Sequence, residues 1–270
     1  MTVTRLTPDL APADLTAWQL VLKVSPEAFS ALILGPQGPE RAVIAHSEPL
    51  ADSTLESLEN AIYDNPLILS DFGRVDILIA SSQRVMIPVS VPEEMDEEIV
   101  EAMLPDSDAP RRLISAPVAG ESRLVAALDA EMLSFISRTF PDGRISMSMT
   151  MLVEAVGNMR PESEAVNVAF IEPGELTLIS FNSEGRLAFA NRFGIDGAPD
   201  CAYFILAALG PEVEALCIGG DADLRNETIE QLRLAVPDFE PTPLFLTPQI
   251  ADLRCRADYI PLDLFYAAVK

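Results

Sequence analysis

The sequence has almost no histidine and very little lysine: His46 is alone, and lysine occurs only at Lys23 and Lys270 in a chain of 270 residues. Arginine supplies nearly all the positive charge, and 18 Lys and Arg stand against 42 Asp and Glu, a net charge of −24. A surface this acidic repels nucleic-acid phosphates and anionic lipid headgroups, which argues against both as general partners. Cysteine is scarce too, and Cys201, Cys217 and Cys255 form no CxxC pair. A structural zinc site needs about four closely set nitrogen or sulfur ligands, so none is expected. Catalysis by a Ser–His–Asp or Cys–His set would rest wholly on His46, which sits in a stretch that alternates like a strand. Long apolar runs are missing as well. The longest, "CAYFILAAL", has under half the roughly 20 residues of a membrane span. The opening "MTVTRLTPDLAPADL" places acids and prolines where a signal peptide has a basic and then an apolar stretch. Neither a P-loop nor a GxGxxG motif occurs. These absences predict a cytoplasmic protein with no direct membrane insertion.

What is present is apolar material, 49% of the residues, far too much for a disordered chain. It is arranged in order. "WQLVLKV" (Trp18 to Val24), "AFSALIL" (Ala28 to Leu34) and "RAVIAH" (Arg41 to His46) are separated by "SPE" and "GPQGPE". Pro and Gly in short connections make hairpins, so this reads as a three-stranded antiparallel meander. Ser53-Thr54-Leu55-Glu56 then has a capping-box pattern for a helix start. "RVDILIA" from Arg74 reads as a buried strand, and a helix is predicted from Glu93 to Met103.

The second half repeats the order. "NVAFI", "ELTLISF" and "RLAFANRF" form another meander, joined at Glu172-Pro173-Gly174 and Asn182-Ser183-Glu184-Gly185. Pro followed by Gly favours a type II turn. A helix from about Pro199 to Leu209 stops at Gly210-Pro211, "EALCIGG" is a buried strand, and Leu224 to Val236 is an amphipathic helix. "VLKVSPEAFSALIL" from Val21 aligns without gaps to "VAFIEPGELTLISF" from Val168. A repeated βββαβα order is the signature of an α/β protein with a duplicated ribonuclease H-like core. Each half is then a three-stranded antiparallel meander continued by strand–helix units. The expected division is 1–160 for the N-terminal subdomain and 161–270 for the C-terminal one, at the polar linker "NMRPESE" from Asn158 to Glu164. Trp18, Phe29, Phe170, Leu178, Phe189 and Leu216 are the predicted core.

"GRLAFANRFGIDGAPDCAYFILAAL" followed by "LCIGGDADLRNETIEQL" resembles a bacterial family of unknown function with an actin-like ATPase fold. The shared features are a strand ending in Asn191 and Phe193, an acid before a Tyr-containing helix (Asp200, Tyr203), and a strand ending at Gly219. The resemblance implies fold more than chemistry.

Nucleotide-binding members of the actin, sugar-kinase and Hsp70 superfamily carry two phosphate loops, each the first hairpin of a half, typically Asp-x-Gly followed by Ser, Thr or Gly. Small residues let backbone N–H groups approach phosphate, and the Asp holds Mg²⁺. The first-half hairpin, Ser25-Pro26-Glu27, has neither Asp nor Gly, and its proline has no N–H. In the second half Glu172 can stand for the Asp and Gly174 for the Gly, but Pro173 again removes a donor and Glu175 replaces the hydroxyl residue. A tight Pro-Gly turn accounts for the same residues. Ile218-Gly219-Gly220-Asp221 resembles the superfamily's adenosine loop, and a strand-to-helix connection capped by Asp221 or Asp223 accounts for it equally. A two-metal nuclease built on Glu172, Asp200 and Asp221 is opposed by the charge.

The expectation is therefore a degenerate, non-catalytic actin-like protein, a pseudo-ATPase with no cofactor, no metal and no catalytic residues, that binds another protein. Similar folds in pilus and secretion assemblies serve as cytoplasmic platforms. One alternative is a nucleotide-binding ATPase or phosphotransferase using ATP and Mg²⁺ through Glu172, Gly174, Gly219, Gly220 and Asp221. Another is a small-molecule sensor using the cleft between the subdomains.

Overall fold

Strand β1 (Gln19–Val24) is buried at every one of its six positions, as a strand covered on both faces must be. It lies at the middle of a five-stranded sheet. Antiparallel β2 (Ala28–Leu34) and β3 (Val43–Pro49) extend the sheet on one side, and parallel β4 (Arg74–Ile79) and β8 (Arg144–Met147) on the other, in the order β3-β2-β1-β4-β8. The computed structural model describes residues 14–26, 28–36, 42–104, 110–161, 164–210, 215–257 and 260–270. The chain divides into two compact units: one runs up to Leu152 and is taken up again at Gln249–Lys270, and the other is Val153–Pro248.

In the first unit, α1 (Leu55–Tyr63) links β3 to β4. Its cap is Thr54, whose side chain accepts the Ser57 N–H. The capping-box expectation had given that role to Ser53. Asp52 makes the difference, because its carboxylate accepts the Thr54 N–H at 3.1 Å and sets Thr54 at the helix start. Between β4 and β8 the chain builds a second, three-stranded antiparallel sheet that the sequence reading did not identify. It consists of β5 (Arg84–Pro88), β6 (Arg111–Val118) and β7 (Ser122–Asp129) in the order β5-β7-β6. The expected helix over 93–103 is a 3₁₀ turn, Glu93–Met95, followed by α2 (Asp96–Met103). Arg123 on β7 holds this segment down. Its guanidinium donates to the Asp96 carboxylate and to the carbonyls of Pro88, Val91 and Pro92 at 3.2, 2.7 and 3.1 Å. Helix α3 (Ala130–Thr139) follows, capped by Asp129.

The chain leaves this unit along α4 (Ser148–Met159) and returns along α7 (Pro248–Arg256) to end in α8 (Leu262–Val269), which packs on β1, β2 and β4. A single divide at 160 was expected; the observed units instead exchange the chain twice. The reason lies in "LDLFYAAV". Seven of its eight residues are buried, and its one charged group, Asp263, faces Lys23 of β1 at 3.2 Å and accepts the Ser148 hydroxyl.

The second unit has a sheet of its own, in the order β11-β10-β9-β12. It is built from β9 (Val166–Glu172), β10 (Glu175–Phe181), β11 (Leu187–Gly194) and β12 (Leu216–Gly220). Helices α5 (Ala198–Leu209) and α6 (Ala222–Ala235) cover one face, where Cys201, Ile205 and Leu232 meet Ala169, Ile171, Leu176 and Leu178.

The ungapped alignment of the two meanders is reproduced as strand register. Val24 pairs with Phe29, and the aligned Ile171 pairs with Leu176. The Ala80 N–H donates to Val24 O at 2.8 Å, and the Asp221 N–H to Ile171 O at 2.8 Å. Of the predicted core, Phe29, Phe170, Leu178 and Leu216 are buried. Trp18 and Phe189 are only half-buried, because Trp18 precedes β1 and Phe189 lies on β11, the outer strand of its sheet. Among the described residues no helix is long and apolar enough to cross a membrane.

Candidate functional site

The five residues singled out in the sequence lie in the second unit and converge on one end of its sheet. Parallel pairing of β12 with β9 sets Gly219 beside Phe170 and Gly220 beside Ile171, so Glu172 ends one strand where Asp221 leaves the other. Gly174 closes the β9–β10 hairpin opposite the same end.

Each of the five has a local structural reason. Gly174 takes φ +79, the positive value that the third residue of a type II turn requires. Glu172 and Glu175 are the first cross-strand pair of that hairpin, and the Glu175 carboxylate lies 3.1 Å from Arg192 Nε of β11. Gly220 has φ +109, and a Cβ there would fall 1.9 Å from Ile171 O, so no side chain fits. A Cβ on Gly219 would touch the Phe170 ring at 3.1 Å. Asp221 is the cap of α6 and accepts the N–H groups of Asp223 and Leu224 at 3.1 and 3.0 Å. A capping carboxylate at this position satisfies two backbone donors that a helix start leaves open. It also places negative charge where a nucleotide's anionic groups would seek the same donors.

Asp200, the third carboxylate of the nuclease reading, accepts the Asp196 N–H at 2.8 Å within the first turn of α5. Among the described residues no group of three His, Cys, Asp or Glu is placed to hold a metal ion. His46 is buried on β3 with Nε2 3.2 Å from the Glu48 carboxylate. The Cys201 and Cys217 thiols are buried. Burial pushes both up, Cys217 to about 11, and a thiol held protonated is a poor nucleophile. Of the first-half hairpin, Ser25 and Pro26 are described and Glu27 lies outside the described residues. The Ser25 hydroxyl folds back on Ala28, accepting its N–H at 2.9 Å and donating to its carbonyl at 3.0 Å.

One feature of the first unit escaped the sequence reading. A cavity of about 450 Å³ opens at the end of β1 and β4, beside Ser25 and Pro26. By register this end corresponds to the end of β9 and β12 in the second unit. The sequence lacked any signal for it, because much of its wall comes from β7 and α3, far along the chain.

The sequence matches over residues 8–233 the family model described as "Protein of unknown function (DUF3822)", and the chain belongs to that family. No curated protein matches it. Its fold resembles a Bacteroides thetaiotaomicron protein described as having an actin-like ATPase fold and unknown function. The TM-score is 0.71 and the identity 19%, over 84% of this chain and 92% of that one. Two more distant likenesses are the cytoplasmic domain of EpsL, an inner-membrane component of the type II secretion system of Vibrio cholerae, and a PilM–PilN type IV pilus biogenesis complex. The first has a TM-score of 0.45 at 15% identity over 75% of this chain and 81% of that one. The second has 0.49 at 12% over 84% and 87%. At these scores neither decides anything further. The duplicated ribonuclease H-like architecture of the actin-like ATPases is thus the fold of this chain.

Proposed function

We propose that this actin-like member of the family is a non-catalytic, cytoplasmic protein-binding platform whose nucleotide loops have become structural turns. The observation that carries the reading is the prior engagement of three of the loop residues by the fold itself. Asp221 caps α6, Gly220 admits the Ile171 carbonyl, and Glu175 stands beside Arg192. Pro26 and Pro173 supply no N–H where phosphate would need one. With a net charge of −24, the chain also repels ATP⁴⁻ over a range set by the ionic strength.

An aromatic group favours a protein as the partner. Phe189, Phe193 and Phe204 stack in sequence, at 6.5 and 4.5 Å between ring centres. Tyr203 meets Phe204 edge-on and is 67% exposed. Tyr at a surface offers a large, rigid contact area with a hydrogen-bonding tip.

Calorimetry with ATP and Mg²⁺ is the test. The expected result is no binding and no hydrolysis above background. A dissociation constant in the micromolar range or tighter, lost on Glu172→Ala or Gly219→Val, overturns the platform reading in favour of a nucleotide-dependent enzyme.

A further inference from the structure

The cavity of the first unit carries a chemistry of its own. At about 450 Å³ it falls in the usual range of small-molecule sites, roughly 300–1,000 Å³. Its floor is apolar, formed by Val24, Leu58, Ile79 and Leu128, all buried. The polar groups set around that floor are unusual in their sense. The Ser25 hydroxyl donates to Ala28 O and accepts the Ala28 N–H. The Thr54 hydroxyl donates to the Asp52 carboxylate and accepts the Ser57 N–H. The Ser81 hydroxyl donates to Gln83 O and accepts the Gln83 N–H. A hydroxyl has one hydrogen and two lone pairs, so each of these three has its hydrogen committed and one lone pair left. Ser53, Ser82 and the Gln83 amide complete the polar lining and can act in either sense.

The charges point the same way. Asp129 and Glu131 line the cavity, and Asp52 stands behind Thr54, where hydrogen bonds from Ser57 and Thr54 hold its carboxyl below the ordinary range. Arg111 is the one cation among the described lining residues and faces Asp129 directly across the β6–β7 register. Two helices, α1 and α3, start at this cavity, and their own carboxylates already occupy both starts: Asp52 on Thr54, and Asp129 on the Met132 N–H. A phosphate or carboxylate ligand would displace or repel them.

The geometry points to a site for a small organic cation: an ammonium or guanidinium carried on an apolar body, with its N–H groups on the free lone pairs of Ser25, Thr54 and Ser81 and its charge near Asp129 and Glu131. This assignment does not depend on the platform reading, since it concerns other residues and another ligand class.

The test uses the full chain and three probes: phenethylammonium chloride and sodium 3-phenylpropionate, which are similar in size and opposite in charge, and ATP with Mg²⁺. Binding is followed by nuclear magnetic resonance of ¹³C-labelled Ala and Met methyl groups. Phenethylammonium is expected to shift Ala80, Ala127 and Met132 saturably, and phenylpropionate is expected not to. Glu131→Gln, an exposed change in the first turn of α3, should weaken the ammonium about fivefold, as loss of one partly screened charge contact does. Equal or tighter binding of phenylpropionate overturns the assignment. So does the lack of any saturable shift at those three methyls, or an unchanged ammonium affinity in the Glu131 variant. ATP binding would instead count against the platform reading alone, provided that it shifts methyls of the second unit.

Discussion

Asp263→Asn should destabilise the first unit by about 3–5 kcal/mol, the usual cost of removing one partner from a buried ion pair. The Lys23 and Asp263 groups lie 3.2 Å apart with side chains only 4% and 0% exposed, so solvent screens the pair little. Asn keeps the size of Asp and can still accept the Ser148 hydroxyl. The change therefore removes the charge and the acceptor of the Leu264 N–H, which the carboxylate takes at 3.0 Å, and leaves the Lys23 ammonium inside the sheet without its carboxylate. For a unit of this size each kcal/mol moves the melting temperature by roughly 2–4 °C, so a drop of about 6–20 °C is expected. Urea unfolding and thermal unfolding, each followed by circular dichroism and by Trp18 fluorescence, measure the two quantities. The partner variant Lys23→Met, which leaves the carboxylate alone, should lose a similar amount. The double variant Lys23→Met/Asp263→Leu replaces both charges by apolar groups and should recover to within about 1 kcal/mol of the wild type, or exceed it. A loss below about 1 kcal/mol in Asp263→Asn would refute the reasoning, since so small an effect belongs to surface pairs. A double variant whose loss equals the sum of the Lys23→Met and Asp263→Leu losses would refute it too, because the thermodynamic cycle would then show no coupling.

Other expectations are as direct. Phe170→Ala, at a fully buried position on the central strand β9, should cost about 3–5 kcal/mol in denaturant unfolding, and a loss under about 1 kcal/mol would mean the cavity collapses freely. Asp221→Ala should cost about 1 kcal/mol through the lost α6 cap, whereas Gly220→Ala, blocked by the Ile171 carbonyl, should be the more damaging of the two. In the folded protein a thiol reagent should modify Cys255, which is exposed, and leave buried Cys201 and Cys217 unmodified until urea is added. Burial raises the Cys217 thiol from 9.0 to about 11, so between these values the folded chain holds a proton that the unfolded chain has released. The stability this provides is complete below pH 9.0 and lost as the pH rises to about 11; Cys217→Ala should flatten that part of the melting-temperature profile.

Local pattern by itself determined the two meanders. Short apolar segments, alternating on "WQLVLKV" and nearly continuous on "NVAFI", cut by Pro-containing turns, specify the strands and the hairpins between them. The hairpin register followed, because turn length and strand pairing are set by neighbours in sequence. The helices over 198–209 and 222–235 were equally legible from their stop and cap residues. The composition of the candidate loop was readable too: the Pro and Glu at 173 and 175 were visible as obstacles to phosphate. Tertiary structure decided the rest. Whether Gly220 serves a ligand or a packing contact depends on the Ile171 carbonyl, 49 residues earlier in the chain. The return of α8 to the first sheet buries seven of its eight residues and brings Asp263 to Lys23 across most of the chain's length. The cavity beside Ser25 exists only because β7 and α3 come back to the end of β1. These are long-range meetings of side chains that carry no local periodicity, so they emerge only once the chain has folded and burial has selected which polar groups face each other.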